Sequence, residues 1–200
     1  MYHGGRCYAA QTFNNTEKGS GGQPRRIQIG WQGGRSGQLS TPVELTLRTT
    51  PLGLRVCKLP VKEIEHLYIR SEKLDATKLS PGNANPLANL KGGLYDIDLV
   101  ADLADAKEFV LNIQGTRLVV KATDKGLACG KMIIPGTKIL SLRVVVDNTS
   151  IDIFFGENGI FYSPLMFRPK SEALSIEVTG GDATFTRLQV HELKSIWKKD

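Results

Sequence analysis

An all-β chain is what this sequence predicts: a two-sheet antiparallel β-sandwich preceded by a smaller, four-stranded sheet. Three observations predict it. Between Leu140 and Pro164, in LSLRVVVDNTSIDIFFGENGIFYSP, three apolar runs are separated by two short turns. Over most of the chain, short stretches of alternating apolar and polar residues are punctuated by turn residues about every 8–12 positions, the rhythm of a sandwich. Helical spacing of apolar residues is confined to Val61–Leu67 and, at the end, to the turn Leu193–Trp197.

Residues 1–60 read as four strands. Cys7–Phe13 is the first, ended by the polar loop NNTEKGSGGQP. In Arg26–Gln32, Ile27, Ile29 and Trp31 share one face, because strand side chains alternate. The Gly-rich loop GGRSGQLSTP leads to Val43–Thr49, where Val43, Leu45 and Leu47 alternate with Glu44, Thr46 and Arg48. A Thr50–Gly53 turn opens Leu54–Leu59, and Pro60 closes it. Four consecutive strands of this length are what one propeller blade contains. Ile64 and Leu67 stand three apart with Lys62, Glu63 and Glu65 outside, which predicts a short helical linker over 61–67.

From Tyr68 the pattern is β throughout and predicts the sandwich, over 68–200. After a polar stretch centred on SPGNANP, Leu94–Leu103 sets Tyr95, Ile97, Leu99, Ala101 and Leu103 against Asp96, Asp98 and Asp102. Phe109–Ile113, Arg117–Ala122 and a strand over Leu127–Ile133 follow, and after the central stretch come Ala173–Val178 and Ala183–His191. In that stretch Leu142, Val144 and Val146 share a face, Ile151 and Ile153 continue the alternation, and Asp152 points the other way. Phe154 next to Phe155 predicts a strand buried on both sides or a bulge. Asp147–Ser150 and Gly156–Gly159 supply the turns of a three-stranded meander.

Composition narrows function. The net charge is +6, and residues 1–65 carry nine basic against four acidic side chains. They are spread singly along strands, not clustered with aromatics, so no nucleic-acid surface is expected. No apolar run approaches the roughly 20 residues that span a bilayer, and no membrane partner is expected. MYHGGRCYAA has no apolar core segment, so no secretory signal is expected in it, and the compartment stays open. Cys7, Cys57 and Cys129 lack C-x-x-C spacing and read as buried thiols.

The carboxylates Glu44, Asp96, Asp98 and Asp152 lie on alternating strand faces, where solvated or cross-strand roles are expected, and no catalytic residue is assigned. His66 and His191 read as surface or sheet-edge residues. His3 could wrap a square-planar metal together with the terminal amine, but an incidental terminus explains it, so no metal site and no cofactor are assigned. Trp31, Trp197, Tyr95, Phe161 and Tyr162 could stack on sugar rings but read as packing, leaving carbohydrate-binding residues unassigned. Asn14-Asn15-Thr16 and Asn148-Thr149-Ser150 match the glycosylation triplet.

Several segments carry a family resemblance: YAAQTF (Tyr8–Phe13), RIQIGW (Arg26–Trp31), PVELTLRTT (Pro42–Thr50) with Gly53-Leu54-Arg55, PVKEIEHL (Pro60–Leu67), SIDIF (Ser150–Phe154) with Asn158-Gly159, and LQVHELKSIW (Leu188–Trp197). In this order they resemble the carboxy-terminal part of glycoside hydrolase family 32, the invertases, levanases and inulinases. The resemblance implies a last propeller blade followed by a lectin-like, concanavalin-type jelly-roll sandwich, with about four blades absent. That family's catalytic aspartates lie in W-M-N-D-P-N-G-type and R-D-P motifs, and its acid/base glutamate lies in E-C; none occurs here, Phe167-Arg168-Pro169 being the nearest imitation. The expected function is therefore a non-catalytic module of a fructan- or sucrose-cleaving glycosidase. The alternatives are a fructan-binding module or part of a β-fructofuranosidase completed by other blades. Expected partners are a fructan or sucrose-type carbohydrate and a second copy docked on the blade's uncovered apolar face.

Overall fold

The computed structural model describes residues 7–19, 22–33, 37–74, 77–103, 105–171 and 173–196. Its first sheet contains β1 (Cys7–Thr12), β2 (Arg26–Gln32), β3 (Gln38–Leu39), β4 (Val43–Thr50) and β5 (Gly53–Pro60), in the order β1-β2-β4-β5 with β3 also on β2. It has five strands, not the four expected. β3 and β4 lie along the same side of β2, interrupted at Ser40-Thr41-Pro42. Proline has no N–H for the ladder, and the Thr41 N–H is turned toward Asp152.

A 3₁₀ turn, Lys62–Leu67, follows and buries Ile64, as its spacing predicts. Then come β6 (Tyr68–Leu74), β7 (Thr77–Leu79), β8 (Tyr95–Asp102), β9 (Glu108–Ile113), β10 (Thr116–Thr123), β11 (Gly126–Cys129), β12 (Met132–Pro135), β13 (Ile139–Val146), β14 (Ser150–Phe155), β15 (Phe161–Met166), β16 (Leu174–Thr179) and β17 (Ala183–Leu193). The larger sheet runs β15-β14-β13-β8-β17-β6, with β7 on β17, and the smaller runs β12-β11-β10-β9-β16. All the pairings are antiparallel.

The meander is β13-β14-β15, as expected. Leu142, Val144 and Val146 meet Ile151, Ile153 and Phe155, and with Tyr95, Ile97 and Leu99 of β8 they face Phe109, Leu111, Val120 and Ile176 of the smaller sheet. Each such side chain contributes roughly 1.5–3 kcal/mol when fully buried. All six residues of β14 are buried. This is the strand buried on both sides that Phe154 next to Phe155 predicts. Phe155 enters the main core, and Phe154 enters a second core on the opposite face.

Three other expectations are corrected. Leu127–Ile133 is two strands, β11 and β12, turned at Gly130, which has φ 57°. The polar stretch before Leu94 contains β6 and β7. Their alternation was hidden because β6 lies at a sheet edge with Ile69 exposed. The final helical turn is not formed over its described residues: Leu193 ends β17 and Lys194 and Ser195 belong to no element. Trp197 lies outside the described residues.

Candidate functional site

The second core is where the first sheet meets the sandwich. Val145, Phe154 and Tyr162 project from the outer face of the larger sheet and pack with Val43 and Ile64, flanked by Leu45, Leu59 and Leu67. The register explains which face of the first sheet is used. Gln28 pairs with Val43, and Leu45 with Lys58, so these residues share one face with Gln32. Ile27, Ile29 and Trp31 lie on the other. The more polar face of β2 is thus the one turned to the sandwich.

At the centre of this joint is Asp152, whose residue is 1% exposed. Period-2 alternation puts it beside Phe154 on the outer face, so it is sealed in when the first sheet docks. Tyr162 donates its hydroxyl proton to Oδ1 at 2.6 Å, and Gln32 Nε2 donates to the same oxygen at 3.1 Å. Thr41 donates to Oδ2 through its hydroxyl at 2.6 Å and its backbone N–H at 3.1 Å. One carboxylate therefore binds two segments of the first sheet to two strands of the sandwich. Burial pushes its pKa above the ordinary range, while the hydrogen bonds from Thr41, Tyr162 and Gln32 pull it back. Burial, reinforced by the Asp152 charge, also pushes the Tyr162 hydroxyl well up, which keeps it a donor.

Lys58 borders the joint. It is buried, donates to Gln28 Oε1 at 3.0 Å, and sits 5.5 Å from the centroid of the Tyr162 ring. Burial lowers its pKa to about 8. On the linker side, the buried Arg25 guanidinium bonds Glu44 Oε2 at 2.8 Å and grips both oxygens of Glu63 on the 3₁₀ turn. That hydrogen bonding holds the Glu63 carboxyl down at about 2.

Asp96 is fully buried and accepts both Arg143 Nε at 2.9 Å and an Arg143 terminal N–H at 2.7 Å, with Tyr68 donating to it at 2.7 Å. Asp98 pairs with Arg187 at 3.0 Å. Asp96, Asp98 and Asp152 each bond a residue of the neighbouring strand, the cross-strand role that was one of the two expected, and Asp96 and Asp152 are buried rather than solvated. His191 lies on β17, between β8 and β6 and not at an edge; it stacks on Tyr68 at 4.0 Å and shares a 2.7 Å hydrogen bond with Ser71. His66 is exposed, and His3 lies outside the described residues. Tyr95 and Tyr162 are packing residues, and Phe161 is half-buried, but Trp31 is 39% exposed. Cys57 and Cys129 are buried free thiols and Cys7 is half-buried. Ser150 of the second glycosylation triplet is buried.

Sequence reasoning missed Gln32, Thr41 and Arg25, whose polar side chains gave no sign of the carboxylates they would meet. It also missed that Tyr8 stands directly opposite Trp31. With Leu39 and Ile29 these two line an open apolar depression of about 380 Å³ on the face turned away from the sandwich.

No protein-family model matches the chain. A levanase from Bacillus sp. (strain L7) is 25% identical across 96% of the chain. An exo-inulinase structure from Aspergillus awamori superposes over 97% of it with a TM-score of 0.71 at 18% identity. The likeness is to glycoside hydrolase family 32. A fructan 1-exohydrolase IIa variant from Cichorium intybus, solved in complex with 1-kestose, matches over 97% of the chain at 16% identity and a TM-score of 0.69. The chain spans 24% of that levanase, 44% of the exo-inulinase chain and 49% of the exohydrolase chain.

Proposed function

We propose that this chain is a non-catalytic structural module of a fructan- or sucrose-cleaving glycoside hydrolase, comprising a blade remnant over 1–60, a linker over 61–67 and a β-sandwich over 68–200. The joint at Asp152 carries this reading. Glycoside hydrolysis requires two carboxyl groups about 5–9.5 Å apart across the scissile bond, one poised to give up a proton. Here Asp152 is sealed under four donors, Asp96 is clamped by Arg143, Asp98 faces Arg187, and Glu44 is bound to Arg25. Their lone pairs serve cohesion. The expected result is that protein purified from a host lacking fructosidases releases no more reducing sugar from sucrose, levan or inulin than a buffer blank. Release above the blank would overturn the reading.

The first sheet favours a second element of function, docking. Among the described residues, seven of the twelve exposed large apolar side chains lie in it or directly after its first strand: Tyr8, Trp31 and Leu39 on the face turned away from the sandwich, Leu47, Leu54 and Val56 on the other face, and Phe13 just past β1. Exposed apolar patches are rare on soluble monomers, and a second copy of the chain covering the Leu47, Leu54 and Val56 end of the sheet makes a homodimer. Sedimentation at micromolar concentration is expected to give the dimer mass, which reverts to monomer in Leu47→Lys/Leu54→Lys. A monomeric parent protein would overturn the pairing.

A further inference from the structure

Between β1 and β2, the loop residues Phe13, Asn14, Asn15 and Thr16 face Arg25 and Arg26 across a depression of about 350 Å³. Its inner side is pinned. Phe13 N–H donates to Ile27 O at 2.9 Å, Arg25 N–H donates to Glu17 O at 3.1 Å, and the Thr16 hydroxyl donates to Arg25 O. The Arg25 side chain is fixed by Glu44 and Glu63. The outer side differs. Asn14 and Asn15 are exposed, and among the described residues neither their amides nor the Arg26 guanidinium has a hydrogen-bond or ion-pair partner. Asn15 holds φ 54°, so the turn fixes where its side chain starts. Phe13 lies alongside, 47% exposed.

We propose that this depression is a subsite for a neutral oligosaccharide. Two amides and a guanidinium together offer many N–H donors and two carbonyl acceptors, which suits vicinal hydroxyl groups that both give and accept. An exposed phenyl ring takes the apolar face of a sugar ring. Charge does not favour an anion: of the two guanidinium groups lining the depression, Arg25 is already held by Glu44 and Glu63. The volume falls at the lower end of small-ligand sites, roughly 300–1,000 Å³, and with one ring and an open mouth the affinity is in the millimolar range.

Using 1-kestose as the probe rests on the fructan reading above. Titrated into the ¹⁵N-labelled full chain, it is expected to give saturable shifts at the amides of residues 13–16 and 25–26 and at the side-chain amides of Asn14 and Asn15. Asn14→Ala/Arg26→Ala is expected to weaken binding at least tenfold, with the spectrum elsewhere unchanged. Asn15→Gly, which keeps the left-handed backbone, tests the second amide without unfolding the turn and is expected to weaken binding as well. Absence of saturable shifts, shifts centred on Tyr8 and Trp31, unaltered binding by these variants, or displacement of the sugar by inorganic phosphate would each overturn the subsite. Fructose accumulating during the titration would overturn the non-catalytic reading and leave the subsite standing.

Discussion

Asp152→Ala is expected to lower stability by about 3–5 kcal/mol, since an orphaned buried donor costs roughly 1–3 kcal/mol and four donors lose their acceptor, some of them regaining water. The loss should not be spread evenly. Gln32 and Thr41 belong to the first sheet, Tyr162 to the sandwich, and their common acceptor is what the substitution removes. In a Trp197→Phe background, urea unfolding followed by Trp31 fluorescence should therefore separate from unfolding followed by far-ultraviolet dichroism, whereas the two coincide without the Asp152 substitution. A loss below about 1 kcal/mol with coincident transitions would show that the apolar part of the joint suffices.

The pH dependence has a defined sign. Burial raises the folded-state pKa of Asp152 above its unfolded value. The group's favourable contribution is then complete below the ordinary carboxylate range, about 3.9, and is lost as pH rises through the raised value. Asp152→Asn does not titrate. The stability gap between parent and Asp152→Asn should therefore narrow as pH is raised from about 4. A gap that widens over that range would mean that the four hydrogen bonds outweigh burial.

Much of the fold was legible because its signals are local. The alternation through Leu142, Val144 and Val146, the turn residues at Asp147–Ser150 and Gly156–Gly159, and the i, i+3 pair Ile64 and Leu67 each sit within a few positions of one another. The joint was not legible, because alternation separates the two faces of a strand without saying what covers the second. Asp152 and Asp96 point away from the main core and so read as solvated or paired across strands, without a sign that another sheet or a neighbouring arginine closes over them. One clue stood in the sequence: Phe154 and Val145 share that outer face with Asp152, and a face carrying both aromatic and aliphatic side chains is seldom left in water. Strand pairing in the first sheet was likewise hidden. Ile27, Ile29 and Trp31 look like the buried face of β2, and it takes the register of β2 on β4, Arg26 with Leu45 and Gln28 with Val43, to put them on the other face from Val43 and Leu45.

Gly159→Ala is expected to disturb the same joint from the sandwich side. The residue ends the short 3₁₀ turn Glu157–Gly159 with φ 66°, and a Cβ built on it would lie 1.8 Å from the Lys58 carbonyl oxygen and 3.3 Å from Leu59 Cδ2. The first obstacle is backbone in β5, which cannot step aside as a flexible side chain would. The left-handed conformation costs about 1–2 kcal/mol with a Cβ, and forcing apart a packed contact adds roughly 1–3 kcal/mol, so a total near 2–5 kcal/mol is expected. Gly82→Ala separates these two terms, because Gly82 has φ 81° and a Cβ there would meet nothing within 4 Å. Its cost should stay near the conformational part alone, about 1–2 kcal/mol. Urea midpoints measured at equal slope give both values. If the two substitutions cost the same, β5 does not press on Gly159, and the first sheet is held to the sandwich by Asp152 and the apolar contacts without this close backbone approach.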